Sequence, residues 1–185
     1  FKHGYLSSEG LIISCGKDAA KPHHQGVGVI RAHETIVVDI FPVSRTNHYF
    51  ADMTRTYVKG EPSDGIKKIY QAVSLAKEES LAALVPGMTG EDIYNVSAES
   101  IKKSGFDVGT KGYIHSLGHG LGLDVHEEPA LGPRNKTKLK AGQVVTIEPG
   151  LYYHDIGGVR IEDTVVITED GCRNLTNHPE NWLIK

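Results

Sequence analysis

Apolar positions recur along this chain with two periods, and the switches between them mark out its elements. From Ser63 to Val85 the period is helical, with Ile66, Ile69, Val73 and Ala76 on one face. Lys67, Lys68, Lys77, Glu78 and Glu79 take the other sides, as on a solvated helix face. Pro86-Gly87 stops this helix. Thr89 with Asp92 resembles a capping box that opens a second helix, striped by Ile93, Val96 and Ile101 and ended by Gly105. The remaining apolar runs are short. Leu11-Ile12-Ile13, Thr35 to Phe41, Tyr49 to Val58, Gln143 to Glu148 and Val159 to Thr168 are expected as strands. A loop from Pro42 to His48 joins the second and third of these, which predicts a hairpin. Gly16 to Gln25, Arg134 to Lys140 and Glu169-Asp170-Gly171 read as polar connections. Trp182 is expected to anchor the tail from Asn174 to Lys185.

Composition narrows the class. The chain has 185 residues, 39% of them hydrophobic, enough for one soluble globular domain with a substantial core. A formal net charge of −3 argues against nucleic acid, which needs a basic face. No apolar run reaches membrane length and no signal peptide opens the chain, so no membrane partner is expected. Cys15 and Cys172 lack ligand spacing and read as thiols of a reducing compartment, which points to the cytoplasm. The sequence begins at Phe1 without an initiator methionine and reads as a piece of a longer chain.

The candidate chemistry lies in residues that do not suit their surroundings. Between His115 and Pro129 three histidines, His115, His119 and His126, stand among Gly118, Gly120 and Gly122. Glycine there would permit backbone angles that a side chain forbids. Four acids interrupt or end otherwise apolar strands: Asp39, Asp52, Glu148 and Glu162. An acid in such a strand is costly to bury unless it is paired or bound to a metal. Four buried together would repel one another unless something positive lay among them. The hairpin can set Asp39 beside Asp52. With one imidazole, the set suits a pair of divalent ions, and Mn, Co, Fe or Zn rather than the oxygen-seeking Ca. Two such ions about 3.5–4 Å apart can polarise a carbonyl and activate a shared water.

These residues resemble the metallopeptidases of the pita-bread fold, which include methionine aminopeptidases, Xaa-Pro aminopeptidases and Xaa-Pro dipeptidases. The resemblance runs from about Gly10 to about Thr176. Asp39 matches the first metal aspartate, in Val37-Val38-Asp39, and Asp52 the second, in Ala51-Asp52-Met53-Thr54-Arg55-Thr56. His119 matches the metal histidine, in Gly118-His119-Gly120. Glu148 in Thr146-Ile147-Glu148-Pro149-Gly150 and Glu162 in Arg160-Ile161-Glu162-Asp163-Thr164 match the two glutamates. The aspartates stand 13 positions apart, two more than usual in the family, and the extra residues fall between Pro42 and Asn47. Arg160, two before the last glutamate, and His115, four before the metal histidine, resemble the proline-specific branch.

The resemblance implies an α+β pita-bread fold, a curved antiparallel sheet flanked by helices. It implies one catalytic domain over residues 1–185, lacking the helices that normally come first. The implied activity is hydrolysis of the bond between an N-terminal residue and proline by an Xaa-Pro dipeptidase, with two Mn or Co ions per chain, or Fe or Zn. Xaa-Pro aminopeptidase, methionine aminopeptidase and an inactive peptide-binding module are the alternatives. Glu148 would shuttle a proton, and His126 and His115 would hydrogen-bond the substrate carbonyl. His23, after Pro22, matches a histidine bordering the pocket, with His24 as the other candidate. Tyr113, Tyr152 and Tyr153 could shape a proline pocket, and Arg160 could meet a dipeptide carboxylate. The expected partners are short peptides with proline second and a second copy of the chain in a homodimer.

Overall fold

The computed structural model describes residues 4–7 and 10–184. In chain order the elements are β1 (Tyr5–Leu6), β2 (Ile12–Cys15), β3 (Thr35–Ile40), β4 (Val43–Ser44) and β5 (Met53–Lys59), then α1 (Asp64–Ala83) and α2 (Gly90–Lys103). There follow β6 (Gly118–Gly120), β7 (Glu127–Leu131), β8 (Val144–Ile147), β9 (Gly150–Tyr153), β10 (Gly157–Arg160), β11 (Asp163–Ile167), β12 (Cys172–Asn174) and β13 (Leu183–Ile184). The fold is α+β. One sheet has the order β13-β5-β3-β2 and the other β12-β11-β8-β6-β7, with β9–β10 and β1–β4 as separate pairs. β13 runs parallel to β5, so the first sheet is mixed, whereas the pairings of the second are antiparallel.

The helices begin where local chemistry dictates. The Ser63 side chain accepts from the Ile66 N–H at the start of α1. Thr89 and Asp92 form the reciprocal capping box at the start of α2. Ile69, Val73 and Ala76 of α1 pack with Ile93 and Ile101 of α2 in a core that also takes in Val145, Ile147 and Val165 from the larger sheet. Lys77 departs from the expected solvated face and is buried with 3% of its side chain exposed. Trp182 stacks on Tyr70 at 4.1 Å between ring centroids, which ties the tail to α1.

Three expected elements differ, and each difference serves the cleft. The hairpin forms, with Asp39 opposite Thr54 and Ile40 opposite Met53, but the second strand starts at Met53. Asp52 therefore sits just before it. The run from Val159 to Thr168 is two strands, because the chain crosses between sheets at Ile161-Glu162, where the Glu162 N–H donates to the Thr54 carbonyl. The His-Gly stretch holds β6 and opens β7, which its glycines disguise. None of Gly118, Gly120 and Gly122 has a left-handed backbone. Glycine is needed for close approach instead. A Cβ on Gly118 would lie 2.0 Å from the Thr146 carbonyl oxygen, and one on Gly120 2.4 Å from that of Glu128.

Candidate metal centre

The two sheets meet around a cleft of about 490 Å³, whose walls include Asp39, Asp52, His119, Glu148, Arg160 and Glu162. β3 and the entry to β5 supply the aspartates, β6 the histidine, the end of β8 Glu148, and the crossing after β10 Glu162. Ligand atoms of Asp52, His119 and Glu162 lie within 4.8 Å of one another. His119 Nε2 is 3.2 Å from Glu148 Oε1 and 3.7 Å from Asp52 Oδ2. Its Nδ1 donates to the Gly120 carbonyl at 3.0 Å, which fixes the ring with Nε2 toward the acids.

The acids are held under electrostatic stress. Burial pushes the Asp52 carboxyl up to about 8, and the charges of Asp39 and Glu148 add to the rise while His119 opposes it. Burial, then Asp52 and Glu148, lifts Glu162 well above the usual carboxylate range. Burial also raises Asp39, although Arg160 donates to its Oδ2 at 2.7 Å. Burial works to raise Glu148 too, but the His119 hydrogen bond and the neighbouring His115 and Arg160 bring it below its ordinary value. Asp39 Oδ1, Asp52 Oδ1 and Glu162 Oε1 are buried without a hydrogen-bond partner. Orphaned oxygens from three converging carboxylates, beside an imidazole with its Nε2 directed inward, fit a divalent cation.

The surrounding side chains lock this set in place. The Thr54 hydroxyl donates to Glu162 Oε2 at 2.6 Å and accepts from Arg160 Nε at 3.1 Å. Thr146 donates to Glu148 Oε1 at 3.2 Å and accepts from the His119 N–H at 3.0 Å. Neither threonine stands out in the sequence beyond its inward position in a strand. The Tyr152 hydroxyl accepts from Arg160 at 2.8 Å and pairs with His115 Nε2 at 2.9 Å. Burial first, offset by Arg160, pushes this phenol up to about 12. Tyr152 thus braces the site, while Tyr113 lies in the core and Tyr153 turns to Asp107.

His115 Nδ1 faces the Ser116 carbonyl at 2.7 Å, so it is the N–H, and Nε2 accepts from Tyr152. His115 has no ring nitrogen left to donate to a carbonyl. His126 stands with its ring 4.2 Å from that of His119, on the open side. His23 lines the cleft, whereas the His24 ring accepts from the Gly26 N–H and faces Asp18.

Fold and site together define a carboxylate–histidine metal centre on a pita-bread frame. The chain belongs to metallopeptidase family M24, which it matches over residues 2–169. It is 43% identical over 175 residues to an Xaa-Pro dipeptidase of Pyrococcus furiosus, covering 93% of this chain and 48% of that protein. The structure of an Xaa-Pro dipeptidase from Bacillus anthracis superposes with a TM-score of 0.91 at 36% identity, over 99% of this chain and 51% of the other. An X-Pro aminopeptidase from Thermotoga maritima MSB8 gives the same TM-score, identity and coverage. The chain spans about half the length of the relatives it matches. Among the described residues no helix is long and apolar enough to cross a membrane.

Proposed function

We propose that this chain is the hydrolytic unit of a metal-dependent peptidase that cleaves the bond between an N-terminal residue and proline in short peptides. The observation that carries the reading is the convergence of Asp52, His119 and Glu162, with buried carboxylate oxygens left unpartnered, inside a family M24 chain. Asp39 and Glu148 complete a set of five ligands for two divalent ions, Mn or Co before Fe or Zn. Bound there, the ions supply Lewis acidity toward the substrate carbonyl and lower the pKa of the attacking water.

The chain's own groups do the rest. Glu148 takes a proton from the water and returns it to the proline nitrogen as the C–N bond breaks and the water oxygen joins the carbonyl carbon. His126, on the open side, donates to the carbonyl oxygen as charge builds on it. His115, Tyr152 and Arg160 hold Asp39 and the cleft wall. The free amino terminus of the substrate sits beside the acids. The full-length protein, stripped by chelation and reloaded with Mn or Co, is expected to release the first residue of an Xaa-Pro peptide. No turnover with Mn, Co, Fe or Zn in the folded full-length protein overturns the reading in favour of an inactive peptide-binding module. We further propose a homodimer, supported by the family resemblance, which sedimentation of the full-length protein tests.

A further inference from the structure

Glu162 lies where the chain crosses between sheets, outside any strand, so no ladder fixes its backbone. Both of its main-chain groups bond to β5 instead. Its N–H donates to the Thr54 carbonyl at 3.0 Å, and its carbonyl accepts from Arg55 at 2.5 Å. Asp52, just before β5, is tied to the same crossing, because the Thr164 hydroxyl donates to its carbonyl at 2.8 Å. Two carboxylates of the metal set are thus spaced by a few bonds made behind the cleft.

Arg55 is the centre of those bonds. Side chains alternate along β5, so Thr54 and Thr56 bond Glu162 and Arg160 while Arg55 turns to the opposite face. There it is 3% exposed. One terminal nitrogen donates to the Glu162 and Thr54 carbonyls, the other to Asp163 at 2.7 Å and to the His178 carbonyl at 2.9 Å. These bonds use every N–H of the two terminal nitrogens. The fork is planar and rigid, so displacing one arm turns the other.

His178 belongs to the segment from Asn174 to Ile184, which carries none of the five candidate ligands. That segment is docked at several points. The His178 ring pairs with the Tyr57 hydroxyl at 2.9 Å, Glu180 pairs with Lys77, and Trp182 stacks on Tyr70. The Val58 and Gly60 N–H groups donate to the Trp182 and Ile184 carbonyls at 2.8 and 3.0 Å. Freeing the segment removes the His178 carbonyl and leaves a buried guanidinium N–H unpaired. Arg55 replaces that bond only by turning, which pulls it from Glu162.

We propose that Arg55 is a positioning residue for the metal centre: it joins Glu162 to the segment from Asn174 to Ile184, so that docking of the segment and binding of metal favour each other. The inference rests on the reading of the site as a metal centre and adds a part of the chain on which that centre depends. Linkage makes the coupling reciprocal, so it is measured from both ends.

The full-length protein is stripped of metal and titrated calorimetrically with Mn. Arg55→Lys keeps the charge beside Asp163 but lacks the fork, and is expected to weaken Mn binding by at least about tenfold. Trp182→Ala, which loosens the segment at Tyr70, is expected to weaken it by at least about fivefold, and Trp182→Phe, which keeps a ring there, to restore it. From the other end, Mn is expected to slow hydrogen exchange at the Val58 and Gly60 amides more than at the Ser104 amide, which donates to Ser100 at the end of α2. Unchanged Mn affinity in folded Arg55→Lys or in Trp182→Ala overturns the inference. So does equal slowing at all three amides, which marks global stabilisation only. If Arg55→Lys fails to fold, the Trp182 pair and the exchange rates decide. Unaltered protein that takes up no Mn, Co, Fe or Zn overturns the metal-centre reading, and the inference with it.

Discussion

Glu162 and Asp163 are neighbours in sequence, both are buried, and their electrostatic circumstances are opposite. Asp163 meets Arg55 at 2.7 Å through one oxygen and Lys77 at 2.7 Å through the other, and it accepts from Asn174 at 2.8 Å. Burial works to raise its carboxyl, but the Lys77 hydrogen bond and charge, then Arg55, hold it below its ordinary value. Glu162 has the Thr54 hydroxyl on one oxygen, no hydrogen-bond partner on the other, and acids around it. The β11 pleat sends one side chain toward Lys77 of α1 and Arg55 of β5, and the chain crossing leaves the other facing the cleft. A buried carboxylate with two cations is architecture. One with none is suited to a charge brought from outside.

The largest effect expected from this contrast is on stability. Asp163→Ala leaves Arg55 and Lys77 buried without their shared partner, and should cost about 3–5 kcal/mol in denaturant unfolding. Glu162→Ala in the metal-free protein should cost far less, because it removes a carboxyl that no cation pairs. Equal losses at the two positions would erase the distinction. Next in size is the effect on the metal. Asp52→Ala or Glu162→Ala should abolish binding of both ions in calorimetric titration and lower turnover by at least about 100-fold. His119→Ala should weaken one ion more than the other, since an imidazole serves one metal.

Thr54 offers a finer cut. Thr54→Val removes the hydroxyl that orients Glu162 and should weaken metal binding by about 10–100-fold, while Thr54→Ser retains it. Titration that shows Val and Ser alike would exclude an orienting hydrogen bond. The smallest effect, taken per pH unit, is the slope of stability in the metal-free protein. Asp52, with its ordinary value of 3.8 raised to about 8, binds more protons folded than unfolded between these values. Stability should therefore fall as pH rises from about 4 to about 8, by up to about 1.4 kcal/mol per unit for one proton. Asp163, shifted the other way, contributes stability that is present above its unfolded value and lost as pH falls through its folded one. Asp52→Asn should flatten the first slope and leave the second.

Much of the molecule is legible along the chain because it depends on local pattern. The period of Ile66, Ile69 and Val73 announces α1, and the Thr89–Asp92 spacing announces the cap of α2. Acids embedded in apolar runs stand out as misfits, as do glycines crowded around His119. Those signals suffice to propose Asp39, Asp52, Glu148 and Glu162 as one set with an imidazole of that stretch, and the family resemblance picks out His119. They are incomplete where the partner lies far away in sequence. Lys77 looks like one more solvated lysine, since helical period records which face a residue occupies and not what approaches it. Arg160 looks free to meet a substrate, since nothing near it in sequence announces Asp39 or the Pro22 carbonyl.

Sequence by itself therefore determined where the helices and the strands β2, β3, β5, β8, β10 and β11 lie, and which side chains are out of place in them. Tertiary structure decided which misfits are neutralised and which remain open. It divided Glu162 from Asp163, committed Arg160 and His115 to internal bonds, and gave Gly118 and Gly120 their purpose as points of close approach between strands. The reason is one of range. Propensity, capping and periodicity act over a few residues, whereas a buried charge is set by whatever the fold brings within a few ångströms, and here those partners come from opposite ends of the chain.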